Sequence, residues 1–462
     1  MSVLEQPIDV PSRPGLARTL RPRHVTMISF GGIIGAGLFV GSSAAIGIAG
    51  PAVVLSYAAS GLLVFLIMRM LGEMAVARPG LGSFAEYATL ALGPWAGFTT
   101  GWLYWYFWII TVGVETIAGA NLLRPWLMAA GLDAPVWAIG LVLVTVMTAT
   151  NLMSVKAYGE FEFWFALLKV GAIALFIALG LGFLLFYEPP APGVWNTLAG
   201  DGGLFPRGAG AVLSAIPVVI FSMMGSEVAT IAAAESPEPA GLVARAARTV
   251  ALRILLFYVL SIGVIVAIVP WRTLAPGYSP FITTLETMHI PGAAPVMSLI
   301  AITAVLSCLN SGIYIASRML YELGRSGHAP RHLSSVAGNR VPAAGILAGS
   351  GAGILAAVAA IWSPNVVFLF LINTSGAIIL FIYMIVALAE IRLRRRLERE
   401  GEAPPLKMWL FPGLSWGVIG GIVLVLALMA FEPGQRTQLL WSSLSVAFVG
   451  GAYLLQRWRR LA

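Results

Sequence analysis

Apolar runs recur from end to end of the chain, each near the roughly 20 residues a helix needs to cross hydrocarbon about 30 Å thick. The pattern predicts an all-α polytopic membrane protein. Its twelve spanning helices fall at about 25–48, 51–76, 94–122, 134–154, 161–187, 211–233, 250–270, 294–321, 342–361, 365–390, 409–431 and 438–456. Two connecting segments, 77–93 and 235–250, predict short interfacial helices. The second opens on acids and closes on arginines, as a helix dipole prefers. Scaffolding between spans is the simpler role for both.

Two spans break their own pattern. The first contains "SFGGIIGAGLFVG" (29–41), where Gly31, Gly32, Gly35, Gly37 and Gly41 each cost a helix interior roughly 1 kcal/mol relative to alanine. A dinucleotide-binding fingerprint is excluded, because no strand precedes these glycines and no acid follows between Val25 and Met70. Close helix packing is harder to dismiss, since Gly31/Gly35 and Gly37/Gly41 are both GxxxG pairs. Span six, "PVVIFSMMGSEVATIAAAE" (217–235), is interrupted at a corresponding depth by Ser222, Gly225, Ser226 and Glu227. Interruptions at matching positions of two halves point to an inverted-repeat transporter with discontinuous helices one and six and a site at the membrane midplane.

Such breaks have a definite chemistry. Backbone amides at the start of a half-helix carry the positive end of its dipole and suit a carboxylate. In span one these are the amides near Ile34, Gly35, Ala36 and Gly37. In span six, carbonyls near Phe221, Ser222 and Met223, ahead of Gly225, accept hydrogen bonds from an ammonium. A carboxylate site beside an ammonium site describes an amino acid, and Phe221 is placed to cap it.

Composition and charge narrow the classes. With 59% hydrophobic and 10% charged residues, the chain lacks the polar surface of a soluble protein of 462 residues. Its net charge of +8 would suit nucleic acid in a soluble chain, but the distribution says otherwise. Of the 28 lysines and arginines, Arg124, Arg207, Arg272 and Arg436 fall in segments on one side of the predicted membrane, and Lys169 lies within a span. All the others fall on the opposite side. The positive-inside rule makes that side cytoplasmic and places both termini there, with residues 1–23 a cytoplasmic tail rather than a signal peptide. The basic run "RLRRRLER" (392–399) reads as an anchor near anionic lipid, and Arg69, Glu73 and Arg78 as contacts at the cytoplasmic edge. The single cysteine, Cys308, excludes an intrachain disulfide or a cysteine metal cluster. No phosphate loop, metal cluster or nucleophile–base set appears, so neither enzymatic activity nor ATP-driven transport by this chain is expected, and no cofactor.

Ionisable groups inside the spans are the remaining candidates. Lys169, roughly 12 Å inside span five at 1.5 Å per residue, is costly there unless paired, solvated or deprotonated. That makes it the expected proton-coupling residue, the alternative being a fixed cation that pins spans one, five and eight. Glu227 gates, exchanges protons, or braces the backbone freed by the break. Glu115 in span three either faces the substrate ammonium or pairs with a neighbour such as Asn121. Ser307, Asn310, Ser311 and Tyr314 share one face of span eight, which either looks toward Lys169 and the cavity or glues helices together. Asn373, Thr374 and Ser375 are expected to interrupt span ten as part of an outer gate.

The segments "GGIIGAGLFVGSSAAIGIAGPAVVLSY", "MLGEMAVARPGLGSFAEYA", "TNLMSVKAYGEFEFWFALLKV", "IAAAESPEP" and "NSGIYIASRMLYELGRSGHAP" resemble the bacterial amino acid permeases of the amino acid–polyamine–organocation superfamily. The likeness extends over about 20–460. It is nearest to the 4-aminobutyrate permeases in "GWLYWYFW", "GVETIAGANLL" and "KAYGEFEFW". It implies a leucine-transporter-like 5+5 inverted repeat, with helices one to five in 24–190, helices six to ten in 208–391, and two extra helices in 408–457. It further implies proton-coupled uptake of a small amino acid across the bacterial inner membrane, with protons and lipid as the other partners. In that likeness Lys169 matches the lysine that stands at the sodium position of sodium-coupled relatives, and Glu227 an acid that takes part in gating. Another amino acid (proline, aromatic or cationic) and an exchange mechanism stay open as alternatives, as does the oligomeric state.

Overall fold

The computed structural model describes residues 34–78, 81, 83–153, 155–186, 198, 202–225, 254–336, 341–402 and 406–461. Among these residues the chain is helical, with no strand. Helices α1 (Ala36–Phe39) and α2 (Gly41–Ala49) lead through a turn at Gly50 into α3 (Val53–Ala77). After the short α4 (Phe84–Leu92) come α5 (Pro94–Ala129), α6 (Val136–Met153) and α7 (Val155–Phe186). Then follow α8 (Gly210–Ser214), α9 (Ile216–Ser222), α10 (Leu255–Ile268), α11 (Pro280–Thr287), α12 (Ala293–Arg325) and α13 (Ala343–Ala359). The chain ends in α14 (Pro364–Glu400), α15 (Gly413–Phe431) and α16 (Pro433–Leu461).

Eight helical stretches among the described residues are long and apolar enough to cross a membrane, and α10 and α13 are shorter apolar helices. The long ones divide by burial. Helix α5 runs through the middle, packed against α12, α13, α14 and α4, and most of its residues from Ala96 to Leu122 are buried. At the rim, α15 and α16 leave Trp416, Phe431, Trp441 and Phe448 exposed. An apolar exterior around a tightly packed interior is what lipid as solvent requires.

Helix α4 forms where an interfacial helix is expected in 77–93. Its start is fixed by a capping box, in which the Ser83 hydroxyl accepts from the Glu86 amide and the Glu86 carboxylate accepts from the Ser83 amide. The companion segment 235–250 lies outside the described residues, as do Gly31, Gly32, Ser226 and Glu227.

Two sequence expectations are revised. Asn373, Thr374 and Ser375 do not interrupt helix ten, because α14 runs through them unbroken. The Asn373 amide and Ser375 hydroxyl donate to the carbonyls of Leu369 and Ile372 within the helix, while Asn373 Oδ1 and Thr374 Oγ1 are buried without a partner among the described residues. The same helix also continues past residue 390 through the basic run to Glu400. Here Arg394 pairs with Glu398 and Arg396 with Glu400, each four residues apart on one face, which supports the helix beyond the expected span end. Arg394 also reaches the buried Glu73 carboxylate of α3 at 2.7 Å, and that carboxylate accepts from the Met408 amide as well. Nearby, Arg69 donates to the Lys407 carbonyl and stacks over Trp409, while Arg78 bridges Glu400 and Glu402. The residues expected at the cytoplasmic edge therefore tie α3 to α14 and to the segment that follows it.

Candidate functional site

A helix start and a helix end meet inside the protein. Gly35 is the N-cap of α1 in extended conformation (φ −143°, ψ −151°), so here the glycine serves close approach rather than a left-handed turn. A Cβ on Gly35 would lie 2.6 Å from both Cys308 Sγ and Glu115 Oε1, and one on Gly37 would lie 2.6 Å from Ser222 Cα. Opposite, α9 ends at Ser222, and Gly225, at φ +119°, takes a conformation that side-chain-bearing residues rarely adopt. The positive end of α1 and the negative end of α9 thus cross at Gly37 and Ser222.

Glu115 occupies the start of α1. Its carboxylate oxygens accept from the Ala36 amide at 3.1 and 3.0 Å, and the side chain is buried. The acid expected to meet an ammonium or Asn121 is instead seated on the amide expected to hold a carboxylate. Its place on the central helix α5 delivers it there.

Around this contact lies a small cavity lined by Gly35, Gly37, Phe107, Trp108, Thr111, Glu115, Phe221, Ser222, Met224 and Cys308. Its volume is about 10 Å³, room for a single water at most. Phe221 is buried in its wall with its ring 6.1 Å from that of Phe107. Ile34 and Met223 are buried beside it, and Tyr383 donates to Met224 Sδ at 3.1 Å.

Lys169 is fully buried on α7 and donates to Ser307 Oγ at 2.9 Å. Ser307 in turn donates to Glu162 Oε2 at 2.7 Å. One helical turn along α12, Asn310 Oδ1 accepts from Asn151 at 2.7 Å and from Thr150 at 3.1 Å. Ser311 is buried on the same helix. The polar face of α12 therefore looks toward Lys169, and it also joins α12 to α6 and α7.

Of the site residues read from sequence, the structure brings Gly35, Ala36, Gly37, Glu115, Phe221 and Ser222 to one point and sets Lys169 and Ser307 in a network close by. Glu227 is outside the described residues. Sequence reasoning missed Glu162, Phe107, Thr111 and Met224. Glu162 had a signal, an acid seven residues before Lys169 in the same apolar run. The others look like any apolar helix residue.

These features define an integral membrane protein of transporter architecture, its helix ends meeting in the buried interior. The chain belongs to the amino acid permease family, whose model matches residues 24–456. It is similar to the gamma-aminobutyric acid permease of Bacillus subtilis (strain 168), 46% identical over 453 residues covering 98% of this chain and 96% of the relative. The gamma-aminobutyric acid permease of Escherichia coli (strain K12) is 45% identical over 448 residues, 96% of this chain and 95% of the relative. The aromatic amino acid transport protein of Corynebacterium glutamicum is 36% identical over 451 residues, 96% of this chain and 95% of the relative.

Proposed function

We propose that this chain is a proton-coupled symporter that imports a small amino acid, with 4-aminobutyrate as the leading substrate, across the bacterial inner membrane by alternating access. The observation that carries the proposal is the Glu115 carboxylate on the Ala36 amide, directly beside the end of α9. A helix start that holds one carboxylate is chemically fitted to hold another. The substrate carboxylate takes the amides of Gly35, Ala36 and Gly37 next to Ile34. Its ammonium turns toward the carbonyls of Phe221, Ser222 and Met223 near Gly225, and Phe107, Trp108 and Phe221 flank its methylenes.

A cavity of about 10 Å³ admits no amino acid, so binding requires its lining to move, and the proposed movement is that of Glu115 off the Ala36 amide. Displaced, Glu115 becomes a counter-charge for the substrate ammonium. Lys169 carries the coupling proton, and Glu227 gates the inner half of the path. Twelve spans in a 5+5 repeat plus two helices, with both termini in the cytoplasm, supply the frame. The choice of 4-aminobutyrate rests on the names of relatives at 45–46% identity across nearly the whole chain.

The test is uptake of radiolabelled 4-aminobutyrate into proteoliposomes under an inward proton gradient, in competition with proline, arginine and phenylalanine. Saturable uptake blocked by unlabelled 4-aminobutyrate, and weakly by the other three, is expected. Uptake of another member of the panel without competition by 4-aminobutyrate overturns the substrate and leaves the class standing. Counterflow at equal pH with no proton movement under any gradient identifies an exchanger.

A further inference from the structure

The proposed mechanism leaves Glu162 unused. It is an acid with no exposure to solvent, on the same helix as Lys169 and two turns away. An ionised carboxylate in such a place costs several kcal/mol unless compensated, and here Lys169 and the polar side chains of Ser307, Asn310 and Ser311 on α12 act to compensate it. Glu162 Oε2 accepts from Ser307, while Oε1 has no hydrogen-bond partner among the described residues. Oε2, the oxygen joined to Ser307, is therefore where a proton arriving from Lys169 lands, and Oε1 stays an acceptor.

Direction is built into the three groups. Lys169 Nζ donates to Ser307 Oγ at 2.9 Å, and Ser307 Oγ donates onward to Glu162 Oε2 at 2.7 Å. We infer that Lys169, Ser307 and Glu162 form a proton relay, in which Glu162 receives the coupling proton from Lys169 and passes it to the cytoplasmic side. The inference rests on the coupling role and the orientation proposed above. In the transfer, an N–H bond of the Lys169 ammonium breaks as an O–H bond forms at Ser307 Oγ. The original Ser307 O–H breaks as one forms at Glu162 Oε2. An ammonium and a carboxylate become an amine and a carboxylic acid, so the buried cluster changes no net charge, which keeps the step clear of the cost of isolating one charge in a low dielectric.

Placement supports the same direction. Seven residues at 1.5 Å each set Glu162 about 10 Å nearer than Lys169 to the Val155 end of α7, the cytoplasmic end in the proposed orientation. Beyond Ser307 on α12, Asn310 is held by Asn151 and by Thr150, which is partly exposed. Among the described residues the other titratable groups that act on the pair are Glu115 on α5 and Cys308 on α12. Glu115 sits on the Ala36 amide, whereas Glu162 is the acid joined to Lys169 through a single hydroxyl.

The relay is tested with Glu162→Gln and Ser307→Ala in proteoliposomes loaded with a pH-sensitive dye and labelled 4-aminobutyrate. Counterflow at equal pH and gradient-driven accumulation are measured on the same preparations. Glutamine still accepts from Ser307 but cannot take up a proton. Both variants are expected to keep counterflow within about twofold of wild type while accumulation and dye-reported proton entry fall about 100-fold, in the range of a lost acid–base group. Glu162→Asp restores part of both. Glu162→Gln with full proton entry overturns the relay and leaves Lys169 as the coupling residue. Equal loss of counterflow and accumulation in Glu162→Gln makes Glu162 a structural brace and also overturns the relay. Wild type that accumulates 4-aminobutyrate without proton entry overturns the coupling proposal itself, and is distinguished because it is read without any substitution.

Discussion

At the scale of single residues, glycine decides whether two helix ends can touch. The Gly37 Cα stands where a Cβ would come within 2.6 Å of the Ser222 backbone, which cannot swing aside as a side chain can. Gly37→Ala must push α1 from α9 or distort one of them, at an overpacking cost of about 1–3 kcal/mol. Expected is a lower melting temperature in detergent together with loss of uptake. Wild-type uptake by this variant would show that the crossing is not part of the site. Gly35 is equally tight, since its Cβ would meet Cys308 Sγ and Glu115 Oε1 at 2.6 Å and also Cys308 Cβ at 2.8 Å, which is fixed to the α12 backbone. Sequence showed that these glycines were costly and clustered. It could not separate close approach from left-handed backbone, because both demand the same residue. Gly35 serves the first and Gly225 the second.

At the scale of elements, the helices follow from apolar run length, and most run ends fall within a few residues of the spans read from sequence. The exceptions are informative. Helix α14 outruns its apolar stretch because Arg394 and Arg396 find acids one turn on, and because Glu73 of α3 waits beneath Arg394. A composition-based boundary stops at the first charges and cannot see a partner more than three hundred residues away. This contact is a buried tie between α3 and α14 at that end, with side-chain exposures of 10% for Arg394 and 2% for Glu73. Removing Glu73 leaves Arg394 with only the exposed Glu398 and the Met408 amide without its acceptor, so the cost falls below the ~3–5 kcal/mol of a pair whose survivor is wholly uncompensated. Glu73→Ala is therefore expected to lower the melting temperature more than the double variant Glu73→Ala/Arg394→Met. Additive losses across this double-mutant cycle would show the two residues to be energetically independent. The partner of Glu162 was illegible for a related reason. An acid near the start of an apolar run looks like a boundary residue until Ser307 is brought across from α12.

At the scale of the whole molecule, membership of the amino acid permease family and the packing of α5 at the centre agree on a transporter frame. Fold class and family were legible because runs of apolar residues and long motifs are local. The pairing of Glu115 with Ala36, 79 residues apart, was not. Central to the proposed function is a proton carried by Lys169 that moves together with the amino acid. The most direct measurement is accumulation of labelled 4-aminobutyrate by Lys169→Ala proteoliposomes under an inward proton gradient, with and without an uncoupler, beside counterflow at equal pH. The account predicts that counterflow persists while accumulation disappears and the uncoupler has nothing left to abolish. Accumulation that survives in Lys169→Ala and still collapses with the uncoupler would contradict it.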